Sequence, residues 1–162
     1  MLEIMSRSGV HDFDILREGQ LVASLRKKGW FHGPAKALIN DEAVKFVSES
    51  IFSTRYKIYK NEKPCGQIEI DWVGNIHISL MRALDAGQDI FKLKRKTWSA
   101  RHYVLLYAKR EPLLQLKGEF RWAEFSYHYD IEEGKHDYPD EAINELLVYC
   151  AFALKLASFH SY

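Results

Sequence analysis

Residues Pro139–Phe159 read PDEAINELLVYCAFALKLASF. This stretch opens with a proline and two acidic residues, which the first turn of a helix prefers next to its unpaired N–H groups. Nine consecutive apolar residues then run from Leu146 to Leu154, and no glycine or proline interrupts them. The stretch therefore predicts a helix at residues 139–159 that is apolar almost all the way round.

The polar residues of this helix share one narrow stripe at about 100° per residue, made of Glu141, Asn144, Lys155 and Ser158. A helix that is hydrophobic nearly all round is either buried or membrane-spanning. A membrane span needs about 20 apolar residues, whereas this run stops at Lys155. We therefore expect a buried central helix. A helix clamped at a protein interface and a membrane anchor are the alternatives.

Length and composition indicate a single domain over residues 1–162 with an ample core, since 47% of its residues are hydrophobic. The net charge is only +1, from 23 basic and 22 acidic residues. A dedicated nucleic-acid-binding protein would carry a basic excess, so no nucleic-acid partner is expected. Two cysteines, Cys65 and Cys150, do not make a disulfide framework, and we expect two free thiols.

The N-terminal residues Met1–Arg7 lack the basic region and apolar stretch of a secretory signal. Together with two free thiols, this predicts a cytoplasmic protein. Peripheral attachment to a membrane is compatible with that location, and a transmembrane protein is not expected.

Strands with period-2 alternation fill the rest of the chain. The clearest alternating stretches are Ile68–Trp72, Ile76–Leu80, Leu114–Trp122 and Glu124–Ile131. Shorter strands are predicted at Pro34–Ile39, Ala43–Ser48 and Ile90–Lys94, with a loop or one helical turn at Met81–Gln88. This alternation places four large aromatic side chains on the inner rows: Trp72, Trp122, Tyr127 and Tyr129. It places His77 and His128 on the outer rows, where we expect surface histidines.

A sheet of many consecutive strands has one apolar face to bury and two unpaired edges. Closure into a barrel buries that face inside and removes the edges. A barrel of ten or more strands is too wide for side chains alone to fill, and the apolar helix supplies the missing filling. The sequence therefore predicts a mainly β fold: a closed antiparallel β-barrel of roughly 10–12 strands around a central hydrophobic C-terminal helix.

The repeated hairpins at Phe13–Leu25, Tyr56–Ile70 and Tyr103–Trp122, the strand Glu124–Ile131 and the helix Asp140–Phe159 together resemble the tubby-like β-barrel group. That group includes the phospholipid-scramblase-like and LURP-one-related proteins. The resemblance covers nearly the whole chain and implies a closed antiparallel barrel around a C-terminal helix. Members of the group include a phosphoinositide-binding module, so the resemblance implies anionic lipid headgroups as one class of ligand. The cysteine cluster and calcium loop of the scramblase members have no counterpart in this chain.

The clearest chemical constellation is basic. Within ten residues the chain carries Lys92, Lys94, Arg95, Lys96 and Arg101, with Trp98 among them and His102 next. On a strand, the three lysines project to the same face. This predicts a site for an anionic headgroup or a phosphate, with an aromatic residue at the membrane interface. The alternative is that the lysines keep a strand edge from pairing.

A second basic and aromatic stretch, Arg26–His32, contains Lys27 and Lys28 and is able to lie beside the first. Anionic membrane lipid or a protein partner is therefore the expected ligand.

Motifs for catalysis, metals and cofactors are missing from the sequence. The seven histidines show no pair at zinc-like spacing, although His128 with Asp130 is a local possibility. Neither a nucleophile elbow nor a glycine-rich phosphate loop is present. We therefore predict a non-enzymatic binding or interaction domain with no catalytic residues, metal or cofactor. The alternatives are an open-cavity, lipocalin-like carrier of a hydrophobic ligand, with its helix outside the barrel, and an enzyme with dispersed catalytic residues.

Overall fold

The computed structural model describes residues 1–7, 12–27, 35–50, 54–81, 87–96, 101–107, 112–122 and 126–159. Within these residues the chain forms twelve β-strands and one C-terminal α-helix. The strands make a closed antiparallel barrel, which confirms the predicted fold class. The stretch between Met81 and Gln88, predicted as a loop or a helical turn, falls mostly outside the described residues.

The strands are β1 (Leu2–Arg7), β2 (Asp12–Arg17), β3 (Gln20–Lys27), β4 (Ala35–Ile39), β5 (Glu42–Ser48), β6 (Arg55–Lys60), β7 (Lys63–Ile70), β8 (Ile76–Met81), β9 (Gln88–Arg95), β10 (Arg101–Tyr107), β11 (Pro112–Arg121) and β12 (Ser126–Glu133), and the helix is α1 (Asp140–Phe159). The helix begins where predicted, because the carbonyl of Pro139 accepts hydrogen bonds from the N–H groups of Ala142 (3.0 Å) and Ile143 (3.2 Å).

Each strand pairs with its neighbours in sequence, and the ring closes where β12 pairs with β1. In that closing pair Ile4 lies opposite Tyr129, and Leu2 lies opposite Ile131. Every strand is thus hydrogen-bonded on both sides. Closure removes the unpaired edges that an open sheet of this length would expose.

The helix occupies the barrel interior. Its side chains from Leu146 to Leu156 are all buried, on every side of the helix. Aromatic contacts join it to the inner wall: the Phe152 ring stacks on Phe46 of β5, with centroids 4.3 Å apart, and meets Tyr56 of β6 edge-on at 5.1 Å. An open-cavity carrier with its helix outside the barrel is therefore not the arrangement found.

The helix lies off the barrel axis and packs most closely against β3, with β2 and β4 beside it. The inner side chains of β3 and β4 include three buried alanines, Ala23, Ala35 and Ala37. Such small side chains let the helix approach, while bulky residues fill the wider gaps elsewhere. The opposite wall carries larger inner residues such as Phe91 of β9.

Two residues of the narrow polar stripe, Asn144 and Lys155, are buried with the rest of the helix, while Glu141 in the first turn is exposed. Asn144, near the helix start, accepts hydrogen bonds on its Oδ1 from Nε (3.4 Å) and Nη2 (3.2 Å) of Arg17 in β2. Lys155, about one turn from the helix end, is only 2% exposed. Polar residues on this helix therefore do not mark a solvent-facing side.

Two of the four aromatic residues predicted to face inward do not. Trp72 is 97% exposed and Trp122 is 76% exposed, whereas Tyr129 is buried and Tyr127 is half-buried. The inward prediction failed at Trp72 because β7 ends at Ile70. The Asp71 carboxylate then accepts hydrogen bonds from the N–H groups of Val73 (3.0 Å) and Asn75 (2.9 Å), and these bonds stabilise a turn. Trp122 likewise follows the last residue of β11, so neither ring continues its strand's inner row.

Gly118 leaves space for a neighbouring ring. It lies opposite Tyr129 on the next strand, and a Cβ at Gly118 would lie 2.5 Å and 2.8 Å from two carbons of that ring. Strands normally gain from replacing glycine by alanine, but here the clash should dominate.

We therefore expect Gly118→Ala to lower the free energy of unfolding by about 1–3 kcal/mol, measured by denaturant titration. In a Tyr129→Leu background the same substitution should cost less, because the ring that it meets is gone. An equal cost in both backgrounds would show that the ring is not responsible.

Candidate functional site

The side chains of strand β9 alternate between the inner and outer faces of the barrel. Phe91 and Leu93 are buried in the barrel, so the intervening Lys92 and Lys94 project outward. Lys96 follows the end of the strand and is exposed, and its N–H bonds to the carbonyl of His102 at 2.7 Å. The predicted common face of these three lysines agrees with this alternation. We refer to Lys92, Lys94 and Lys96 as the basic face.

Neighbouring strands place no carboxylate directly opposite Lys92 or Lys94. On β8, His77 lies opposite Lys92, and on β10, Val104 lies opposite Lys94. One strand further, Lys117 of β11 lies opposite His102 and pairs with Glu132 at 2.5 Å. By contrast, none of the three lysines of the basic face forms an ion pair with another described residue. Their charges are therefore available to an external anion.

The two arginines of the predicted set lie elsewhere. Arg95 lies opposite Tyr103 and shares the inner row of β9 at the barrel end, where it is exposed. Arg101 begins β10 and donates from Nη2 to the Tyr127 hydroxyl at 2.9 Å, with its guanidinium carbon 4.0 Å from that ring's centroid. Arg101 is thus engaged by an aromatic cluster rather than aligned with the lysines.

That aromatic cluster includes Tyr129. Burial raises the pKa of Tyr129 to about 12, although the Arg101 guanidinium acts in the opposite direction. Its hydroxyl is therefore neutral at physiological pH.

The first two residues of the second basic stretch, Arg26 and Lys27, lie at the same end of the barrel as the first stretch but on another side. Lys27 is the last residue of β3, and β3 stands six strands from β9 in either direction around the ring. Lys28 lies outside the described residues. Arg26 and Lys27, the described residues of this stretch, are therefore across the ring from β9, and the rest of the stretch lies outside the described residues.

Exposed tryptophans flank the basic residues at that barrel end. In the antiparallel ring, the β7–β8, β9–β10 and β11–β12 connections all lie at one end. Exposed Trp72 and Val73 belong to the first connection and Trp122 follows β11, with Lys96 and Arg95 between them on the ring. Trp72 and Trp122 stand about four strand spacings apart, or roughly 20 Å. We refer to this end as the tryptophan end.

The opposite end of the barrel contains a cleft of about 250 Å³ beside the start of the helix. It opens where the off-axis helix leaves space against β7, β8 and β9. The residues that line it are Lys60, Cys65, Leu80, Met81, Asp89, Phe91, Tyr138, Ala142, Glu145 and Leu146.

The polar groups of the cleft are engaged with one another. Nζ of Lys60 lies 2.7 Å from Oε1 of Glu145. The same oxygen accepts a hydrogen bond from the Tyr149 hydroxyl. Burial alone would lower the pKa of Lys60, but the Glu145 carboxylate raises it. The Tyr107 hydroxyl donates to Asp89 at 3.0 Å.

The same environment makes the thiol and the amine of the cleft unreactive. Burial raises the pKa of Cys65, against the opposing influence of the Lys60 charge, so its thiol stays protonated near neutral pH. The Lys60 amine stays charged because Glu145 is beside it. Neither group is activated as a nucleophile.

One histidine predicted to lie at the surface is buried. His77 is partly exposed, with Nε2 2.9 Å from Oδ2 of Asp71, but His128 is only 3% exposed. His128 occupies an outer row as predicted. Its burial was missed because Glu3, on the adjacent strand β1, reaches its ring, with 3.2 Å between Oε1 and Nε2. Pairing between the first and last strands brings these residues together, and no local sequence signal reports it.

Comparison with known proteins finds no matching family model, no matching curated protein and no matching solved structure. Within the part of the chain that the structure describes, no helix combines the length and hydropathy needed to cross a membrane. Function therefore has to be inferred from the geometry of the chain itself.

Both cysteines are free, as predicted, and their burial predicts different reactivities. Burial raises the pKa of Cys150 to about 12 inside the barrel, while Cys65 lies half-buried at the cleft.

At mildly alkaline pH, about 8, a thiol-specific aromatic disulfide should modify Cys65 slowly and leave Cys150 unmodified until the protein unfolds. The Cys65→Ser variant should then release no chromophore under native conditions. Rapid modification of both thiols in the folded protein would contradict the buried position of the helix.

Proposed function

We propose that this chain is a non-enzymatic binding domain of the tubby-like barrel type, which docks on anionic lipid headgroups through its basic face and its tryptophan end. The closed barrel around a C-terminal helix is the architecture that the resemblance implies, and it supports the family assignment. On this proposal the protein works in the cytoplasm, at the membrane surface.

The observation that carries the proposal is the free charge of the basic face. Lys92, Lys94 and Lys96 have no anionic partner among the described residues. Several other lysines of the barrel strands do have one: Lys117 pairs with Glu132, and Lys60 pairs with Glu145. Three adjacent cationic side chains repel one another, so an external anion at this surface relieves that repulsion.

The competing role for these lysines, protecting a strand edge, loses its basis in a closed barrel. Strand β9 is hydrogen-bonded to β8 on one side and β10 on the other. It has no edge for lysines to protect. A binding role is therefore the better explanation of Lys92 and Lys94 on this strand and of Lys96 directly after it.

The tryptophan end supports a membrane rather than a dissolved anion as the source of the headgroup. Tryptophan is enriched at membrane–water interfaces, where its ring sits at the level of the headgroups. Trp72 and Trp122 are the largest exposed apolar side chains of the described residues, and both lie at the barrel end that the basic face reaches. An end with two exposed rings around basic residues matches the chemistry of an anionic bilayer surface.

Electrostatics sets the expected strength of binding. A basic residue close to an anionic leaflet contributes about 1 kcal/mol, so the basic face contributes about 3 kcal/mol, or roughly a hundredfold in affinity. This contribution should weaken as salt concentration rises. A protein partner of acidic surface would use the same charges, and the vesicle experiment separates the two cases.

The test is flotation of the purified protein with vesicles of phosphatidylcholine alone, or with added phosphatidylserine or phosphoinositide. We expect binding only to the anionic vesicles. Replacing Lys92, Lys94 and Lys96 together by glutamine should weaken that binding by roughly a hundredfold.

A matched control removes three positive charges from another part of the barrel wall by replacing Lys36, Lys45 and Lys57 with glutamine; they lie on β4, β5 and β6, three to five strands from β9. This variant should bind nearly as well as the unmodified protein, because its net charge changes equally but its basic face is intact. Equal loss in both variants would show nonspecific attraction. Unchanged binding in the basic-face variant would overturn the proposal.

A further inference from the structure

The closing seam of the barrel brings together three side chains that commonly bind metals. Glu3 of β1 lies directly opposite Asp130 of β12. His128, two residues before Asp130, is on the same outer side of β12. Because β1 and β12 are the first and last strands, the cluster exists only when the barrel is closed.

The ligand atoms of this cluster surround a common point. Nε2 of His128 lies 3.2 Å from Oε1 of Glu3 and 3.0 Å from Oδ1 of Asp130. All three atoms lie within 4.8 Å of one another. Zinc–ligand bonds of about 2.0–2.2 Å in tetrahedral geometry place neighbouring ligand atoms about 3.3–3.5 Å apart. The observed spacing is therefore close to that of a coordination shell.

Charge balance favours a divalent cation at this point. Like charges directly opposite each other on paired strands are destabilising, and the nearest basic side chains of β11 are committed elsewhere. Lys117, opposite Asp130, pairs with Glu132, and Arg121 pairs with Glu119 at 3.2 Å. A neutral imidazole with two carboxylates carries a charge of −2, which one divalent ion cancels.

The burial of His128 adds a separate observation. The residue is only 3% exposed, and its Nδ1 has no hydrogen-bond partner within the described ranges of the chain. The only polar groups that its ring meets there are the two carboxylates at Nε2. Nε2 is the ring nitrogen that faces both carboxylates, and it is an imidazole nitrogen of this kind that binds a metal ion.

We propose that Glu3, His128 and Asp130 bind a divalent transition metal ion across the seam of the barrel. One imidazole nitrogen and two carboxylate oxygens suit Zn²⁺ and its first-row neighbours. Asp130 is largely exposed, so water completes the coordination on the solvent side. The bound ion links the first strand to the last and stabilises closure of the ring. Spacing rules that search for pairs of histidines miss such a site, because its ligands come from opposite ends of the chain.

The test is calorimetric titration of the untagged protein with Zn²⁺, together with thermal unfolding with and without the ion. We expect one ion per chain and a higher unfolding midpoint in its presence. His128→Gln, Glu3→Gln and Asp130→Asn should each weaken affinity by at least about tenfold and abolish the thermal shift. Circular dichroism establishes that each variant remains folded.

A matched control is available at the other histidine–carboxylate pair. His77 and Asp71 lie 2.9 Å apart, and His77→Gln should leave both the affinity and the thermal shift unchanged. If His77→Gln weakens binding as much as His128→Gln does, the ion binds adventitiously and the site is wrong. Absence of a Zn²⁺-dependent thermal shift in the unmodified protein would overturn the proposal equally.

Discussion

The need to fill a twelve-strand ring governs the rest of this structure. Side chains fill a barrel of about eight strands, and wider barrels leave space at the centre. Here α1 occupies that space, and its side chains from Leu146 to Leu156 are buried on every side. Barrel and helix depend on each other, because the ring without α1 would hold a water-filled core lined by apolar residues. The helix without the ring would expose those same residues to solvent.

The position of the helix within the ring explains where the cleft lies. Alanines at positions 23, 35 and 37 let α1 approach β3 and β4. A gap therefore remains between the start of the helix and the opposite wall of the barrel. The cleft opens there, between the helix and β7, β8 and β9, with Lys60 and Glu145 paired at its side. The surfaces proposed for binding are on the outer wall and at the other end of the barrel, where the helix does not intrude. Interior packing and external binding are thereby kept apart.

Sequence patterns were sufficient for the architecture because burial imposes a period on each element. Alternation identified the strands, and the long apolar run of α1 identified the filling. The same alternation failed at Trp72, where the Asp71 carboxylate ends the strand and starts a turn. It failed again at His128, whose outer position is covered by Glu3 from the far end of the chain. Periodicity reports which side of a strand a residue faces, whereas turn chemistry and cross-strand neighbours decide whether that side meets water.

Candidate sites were predictable only where their residues are close in sequence. Lys92 and Lys94 share a face because they alternate along one strand, with Lys96 directly after its end, which sequence alone can show. Their grouping with the tryptophan end depends on three connections lying at one end of the ring, and the seam cluster depends on β12 meeting β1. Both groupings are properties of the closed topology, so the sequence of no single segment predicts them.

Amide hydrogen exchange along α1 measures whether the barrel encloses the helix. The backbone amides between Leu146 and Leu156 should exchange only through global unfolding, with an opening free energy equal to that of the whole protein. They should be among the slowest in the chain, together with those of the barrel strands. Exchange of these amides as fast as in frayed chain ends would contradict a helix enclosed by the barrel.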